Sequence, residues 1–162
     1  MVVKTSSVDL KQLDLAYLGF FLGLRVNELV RQRMERAGFN GVRESHGYLI
    51  QHLIEADRSI TGLARRMGIT QQAVSKTVAE LTALGILETA RAEDRRSKRI
   101  RLSSRGWECV ESTRRLRTQL EKRLITTLGK PKYGEAKATL LNCLEVLGGT
   151  GRIKSRMVRR PN

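Results

Sequence analysis

Between residues 59 and 84 apolar side chains fall at helical spacing on both sides of one glycine, and this stretch narrows the choice of fold more than any other. Ser59 is a good helix cap, and Leu63, Ala64 and Met67 share one face after it. Gly68 stands where such a helix ends in a left-handed turn. Thr70 caps a second helix, in which Val74, Val78, Leu81 and Leu84 form the apolar face and Gln71, Gln72, Ser75, Lys76 and Ala79 the other. Gly85 stops it. The pattern is a helix-turn-helix, with small Ala64 where the helices touch and branched Val74 filling the gap between them.

Beyond Gly85 the period changes from helical to alternating. Leu87-Glu88-Thr89-Ala90 and Ser97-Lys98-Arg99-Ile100-Arg101-Leu102 read as short strands about a charged tip, with Ile100 and Leu102 on one side and Arg99 and Arg101 on the other. Residues 91 to 105 hold seven basic side chains against two acidic ones, so the hairpin has a basic outer face. Ser103 caps a long helix whose inward positions run Cys109, Thr113, Leu116, Leu120, Leu124 and Leu128. Pro131 fits the first turn of another, carrying Ala136, Leu140, Cys143, Leu144 and Leu147. After Gly148 the chain is basic and without an acid, a tail expected to fray.

Upstream, Leu10, Leu13, Tyr17, Phe20, Phe21 and Leu24 form one helical stripe, and Leu18, Leu22, Val26 and Leu29 a second beside it. A helix apolar on two sides must bury both, one against its own core and the other against a second subunit. A shorter helix begins near Glu44 and carries Leu49, Ile50, Leu53 and Ile54; Asn40 or Ser45 is its cap, and Arg43 is a poor one. The order helix-turn-helix, basic hairpin, long helix gives a mainly α fold with a small β-wing, a winged helix-turn-helix between long N- and C-terminal helices.

Thirty-one Lys and Arg against sixteen Asp and Glu leave a formal charge of +15 in 162 residues, which points first to nucleic acid and second to an anionic membrane face. The apolar run from Leu15 to Leu24 is about half the length of a bilayer crossing and has acidic flanks, so neither a membrane span nor a secretory signal is expected. Few aromatic residues argue against stacking platforms for single strands. Two cysteines give no disulfide framework and suit a reducing cytoplasm.

A winged helix-turn-helix puts its second helix into the major groove of double-stranded DNA. Gln71, Gln72, Ser75 and Lys76 are then the side chains that reach base edges and phosphates, with Thr70 and Lys98 flanking them as further contacts. At the hairpin tip Arg95 and Arg96 meet the minor groove or flanking backbone, and Asp94 holds the shape of the wing by accepting a hydrogen bond.

The run from Ile69 to Leu87, then Asp94-Arg95-Arg96, then Leu102-Ser103-Ser104-Arg105-Gly106 resembles the MarR family of bacterial transcriptional regulators. The resemblance implies a homodimer on a pseudo-palindromic operator, repression relieved by a small molecule or oxidant, and Arg96 as the wing arginine with Asp94 as its partner. It divides the chain into an N-terminal dimerisation helix (1–41), a DNA-binding lobe (42–102, helix-turn-helix 59–84, wing 87–102), C-terminal dimerisation helices (103–147) and a basic, disordered tail (148–162). An effector pocket in this plan lies where the first, second and fifth helices meet the lobe, with Tyr17, Arg25, His46, Tyr48 and His52 as candidate lining residues. Thiol-sensing members carry a reactive cysteine near the first helix. This chain has none there, and Cys109 and Cys143 read as buried, inert thiols.

No metal, cofactor or catalytic apparatus is expected. His46 and His52, six residues apart, do not share a helical face, and there is no nucleophile elbow, phosphate loop or zinc-protease motif. The alternative to a sequence-specific regulator is an architectural or nonspecific nucleic-acid-binding protein, which the charge also favours.

Overall fold

The computed structural model describes residues 8–90, 98–148 and 150–155. Among the described residues, seven α-helices and one two-stranded sheet occur in the order α1 (Leu15–Arg36), α2 (Glu44–Glu55), α3 (Ile60–Met67), α4 (Gln71–Ala83), β1 (Leu87–Ala90), β2 (Arg99–Leu102), α5 (Ser104–Leu128), α6 (Lys130–Val146) and α7 (Thr150–Ser155). This is the mainly helical, winged architecture that the sequence predicts.

Hydroxyl caps decide where three of these helices begin. Ser59 accepts from the Gly62 N–H at 3.1 Å, Thr70 from Ala73 at 3.2 Å and Ser103 from Gly106 at 3.0 Å, each meeting a donor that the first helical turn leaves without an internal partner. Gly68 ends α3 at φ 66°, a left-handed conformation in which a Cβ would be strained. The chain therefore reverses within three residues and lays α4 across α3.

Leu49, Leu63, Val74, Leu81 and Ile86 are fully buried where α2, α3, α4 and the base of the wing meet. β1 and β2 pair antiparallel, Leu87 opposite Leu102 and Glu88 opposite Arg101. Ile100 and Leu102 point into the core and Arg99 and Arg101 out of it, as alternation requires. An isolated bridge between Arg58 and Ile100 adds a third, one-residue edge to the wing. Glu88 pairs with Arg101 across the outer face at 2.7 Å, so part of that basic surface is neutralised.

The link from wing to α5 is tight. The Ser103 hydroxyl donates to the Gly85 carbonyl at 2.6 Å and its N–H to Ile86 at 3.0 Å, while Arg105 reaches the Gly38 carbonyl at 2.6 Å and stacks over Phe39. From there α5 packs along α1 and then against α6.

Four expectations need correction. The stripe that starts at Leu10 is not one helix: Leu10–Gln12 is a 3-10 turn, and Asp14, accepting from the Tyr17 N–H at 2.8 Å, caps a helix that begins at Leu15. The cap position of α2 is Arg43 and neither Asn40 nor Ser45. Leu124 and Leu128, read as inward, are exposed in the single chain because α5 has by then run past the core. The tail does not lose order at Gly148. That residue is a turn at φ 72°, and α7 comes next over Thr150–Ser155, while residues 156–162 lie outside the described residues.

Candidate nucleic-acid interface

Helix α4 is held by its apolar face and offers its polar one. Val74, Val78 and Leu81 are buried, whereas Thr70, Gln71, Gln72, Ser75 and Lys76 are exposed along its first turns. The Thr70 hydroxyl is engaged as the cap, which makes positioning its first task. Gln71 receives the Thr61 hydroxyl at 3.3 Å, which orients its amide and ties the first turns of α3 and α4 together. Gln72, Ser75 and Lys76 carry no such restraint among the described residues. Lys98 is exposed at the entry to β2. Asp94, Arg95 and Arg96 lie outside the described residues.

The far end of α4 is pinned to α2 by a group that the sequence pattern assigned to the effector pocket. His46, only 2% exposed, sits at the third position of α2, and its Nδ1 accepts the Arg43 backbone N–H at 3.2 Å. This is the contact a Glu or Gln makes in a capping box, and it explains how α2 starts without a conventional cap. An Nδ1 that accepts leaves the ring proton on Nε2, which faces Glu80 Oε2 at 3.1 Å. The Arg43 guanidinium pairs with the same carboxylate oxygen. The His46 hydrogen bond, with the charges of Arg43 and Lys76, holds the Glu80 carboxyl below its usual range against an opposing desolvation. Arg43 and Glu80 had no signal in the sequence, since only the fold brings α2 and α4 together.

A second feature lies between α1, α2 and α5, the junction at which an effector pocket was expected. It is a cavity of about 650 Å³, its wall partly apolar through Leu24, Met34, Ile50 and Val110 and partly cationic through Arg43 and Arg117. Of the five candidate lining residues only Tyr48 borders it. Tyr17 stands exposed on α1 and packs on Phe21, Arg25 pairs outward with Glu28, and His46 and His52 are buried away from the cavity. The α1 residues that do reach it, Leu24, Asn27, Glu28, Val30, Arg31 and Met34, cover a helical face that stops short of Arg25.

Cys109 is buried, and burial pushes its thiol up, while Cys143 is half-buried on α6. Among the described residues no group of three or more His, Cys, Asp or Glu side chains converges as a metal site, and no helix is long and apolar enough to cross a membrane.

These features have relatives. The MarR family model matches residues 40–97, from the start of α2 through the helix-turn-helix into the wing. MepR of Staphylococcus aureus, described as a transcription regulator of the multidrug efflux pump MepA, superposes with a TM-score of 0.66 at 19% identity over 83% of this chain and 99% of its own. The MepR–DNA complex gives 0.62 at 19% identity over 84% and 99%. Reduced MarR from E. coli gives 0.63 at 15% identity over 86% and 99%. No curated protein sequence matches the chain. Residues 40–97 thus match the MarR family model, in a chain whose described fold is similar to that of MepR and MarR.

Proposed function

We propose that this protein is a homodimeric, sequence-specific DNA-binding transcription regulator, a repressor released by a small molecule. The observation that carries the reading is the division of α4: three buried aliphatic residues fix its pose while Gln71, Gln72, Ser75 and Lys76 stand exposed at its leading end. Amide side chains read adenine in the major groove and lysine meets phosphate or guanine. The DNA-bound relative of the same fold supports this docking. Arg95 and Arg96 at the wing tip then grip the flanking backbone, with Asp94 shaping the wing.

Dimerisation is inferred from the surface that one chain leaves uncovered. Leu18, Phe20, Phe21 and Leu22 of α1, with Leu140 and Leu141 of α6, are exposed. Large apolar side chains exposed in such number on two helices mark an interface. Two copies joined there present two α4 helices to successive turns of a duplex.

Relief by a ligand is supported by Arg43, which lines the 650 Å³ cavity and also holds Glu80 of α4. An amphipathic acid in the cavity competes for that guanidinium and loosens the tie on the reading helix.

Selection of bound duplexes from a random pool tests the proposal. An inverted repeat should emerge and bind roughly a thousandfold tighter than random duplex. Gln72→Ala should cost about 1 to 3 kcal/mol at particular base pairs, while Arg96→Ala weakens all sequences and flattens the salt dependence. The charge of +15 favours a second reading, a protein that coats nucleic acid without an operator. Equal, steeply salt-dependent binding of every duplex would select it.

A further inference from the structure

Beside the face of α4 lies a cleft of about 270 Å³ between the start of α3 and strand β2, walled by Arg58, Arg65, Arg66 and Arg99. Among the described residues Asp57 is the one acid in its lining, and its backbone carbonyl accepts from Arg99 Nη1 at 3.5 Å. Arg58 is held in place: its Nε donates to the His52 carbonyl at 3.2 Å, and its backbone bridges to Ile100. Arg65 and Arg66 have no acidic partner among the described residues. Arg58 is also paired with Glu55 at 3.5 Å. The other three guanidinium groups, drawn together by the fold with little counter-charge among the described residues, repel one another, and an anion with several oxygens relieves that repulsion through forked hydrogen bonds.

Position says which anion. Thr61, one turn before Arg65 on α3, bonds Gln71 at the leading end of α4. On the other side Arg99 comes directly after Lys98, the exposed residue at the entry to β2. The cleft therefore lies between the groove-reading helix and the wing, where a DNA strand that passes from one to the other presents its backbone. The first helix of a helix-turn-helix crosses that backbone.

We infer that this cleft seats a phosphodiester of the bound duplex through Arg65, Arg66 and Arg99, a contact distinct from the α4 face and the wing tip. The inference rests on the DNA-binding reading above. Arg58 positions the seat from its bonds to α2, and the contact carries affinity and register without base preference.

The test measures duplex binding of the full chain as a function of salt for wild type, Arg99→Ala and the double variant Arg65→Ala/Arg66→Ala. In a dimer on two half-sites each variant removes one phosphate contact per protomer, so the salt slope should fall by about 1.8 and the affinity by on the order of a hundredfold, equally for operator and random duplex. Arg99→Lys should keep the slope, since the charge remains. A series of duplexes with one neutral methylphosphonate at successive positions should contain one position in each half-site that weakens wild type and leaves Arg99→Ala unaffected. Slopes that match wild type in every variant, or additive weakening at every phosphate, overturn the seat while leaving the DNA-binding reading standing. Wild type that binds no duplex sinks both. Inorganic phosphate supplies the last arm: if it raises the melting temperature of wild type and not of the variants while their salt slopes agree, the cleft takes free phosphate and the duplex assignment is wrong. Thermal melts in chloride confirm that these surface variants fold.

Discussion

Gly106→Ala adds one methyl group at the point where α5 meets the wing. A Cβ at Gly106 would lie 2.2 Å from the Ile86 carbonyl oxygen and 3.1 Å from a Leu102 methyl. Carbon and carbonyl oxygen normally approach to about 3.3 Å, so α5 must back away by about 1 Å. The Ile86 carbonyl accepts the Ser103 N–H at 3.0 Å, and the Ser103 hydroxyl donates to Gly85 at 2.6 Å. A shift of that size stretches both bonds beyond hydrogen-bond range. Breaking the two bonds costs about 1 kcal/mol each and the overpacking about 1 to 3 kcal/mol, against a gain of up to about 1 kcal/mol from replacing a helical glycine. The net is a destabilisation of about 3 kcal/mol, or roughly 6 to 12 °C in melting temperature for a chain of this size. Urea and thermal unfolding at matched protein concentration measure it. Gly47→Ala, in α2 with nothing within 4 Å of its would-be Cβ, is the control and should stabilise by about 0.5 to 1 kcal/mol. Gly106→Ala within about 0.5 kcal/mol of wild type would refute the packing argument, because no rotamer moves a Cβ.

The Glu80 carboxyl is held below its usual value of 4.5, so its contribution to stability is complete above that value and is lost as pH falls through the lower folded value. Glu80→Gln should therefore flatten the acid limb of the stability curve below pH 4.5, and urea midpoints measured downward from there check it; identical limbs would disprove the link to His46. Cys109, buried and with its thiol pushed up, should resist a thiol-reactive dye in the native protein at neutral pH and titrate only on unfolding, so that at most one equivalent reacts, from Cys143. Two equivalents without unfolding would reopen an oxidant mechanism. Phe20, 60% exposed in the single chain, should be covered in a dimer, so Phe20→Asp should yield a folded monomer by sedimentation and lose operator affinity. A wild type that sediments as a monomer at micromolar concentration removes the basis for paired half-sites.

The parts of the fold legible in the sequence are those encoded locally. Ser59, Thr70 and Ser103 each cap a helix by bonding an N–H three residues on, and Gly68 and Gly85 turn the chain at positive φ, so side-chain type and spacing suffice to place α3, α4 and α5. Alternation likewise put Ile100 inside and Arg99 outside. Where spacing misled, a residue's role is decided by a partner distant in the chain. His46 looked like a pocket residue by chemical type, yet it caps α2 and bonds Glu80, and no rule of spacing links residues on α2 and α4. Arg25 failed for a different reason, helical phase: the arc of α1 that lines the cavity, from Val30 round to Glu28, ends about 60° short of Arg25. The arginine cleft was invisible for the first reason. Arg58 and Arg99 approach only because Arg58 bridges to Ile100 and makes the α2–α3 connection the third edge of the wing. In a protein with fifteen more positive than negative side chains, composition announces a polyanion, but which cations act together is a property of strand pairing. The same pairing that closes the core beneath Ile100 sets the spacing of the arginines above it, so Arg65, Arg66 and Arg99 should lose their cooperation if the bridge is broken even with every charge in place.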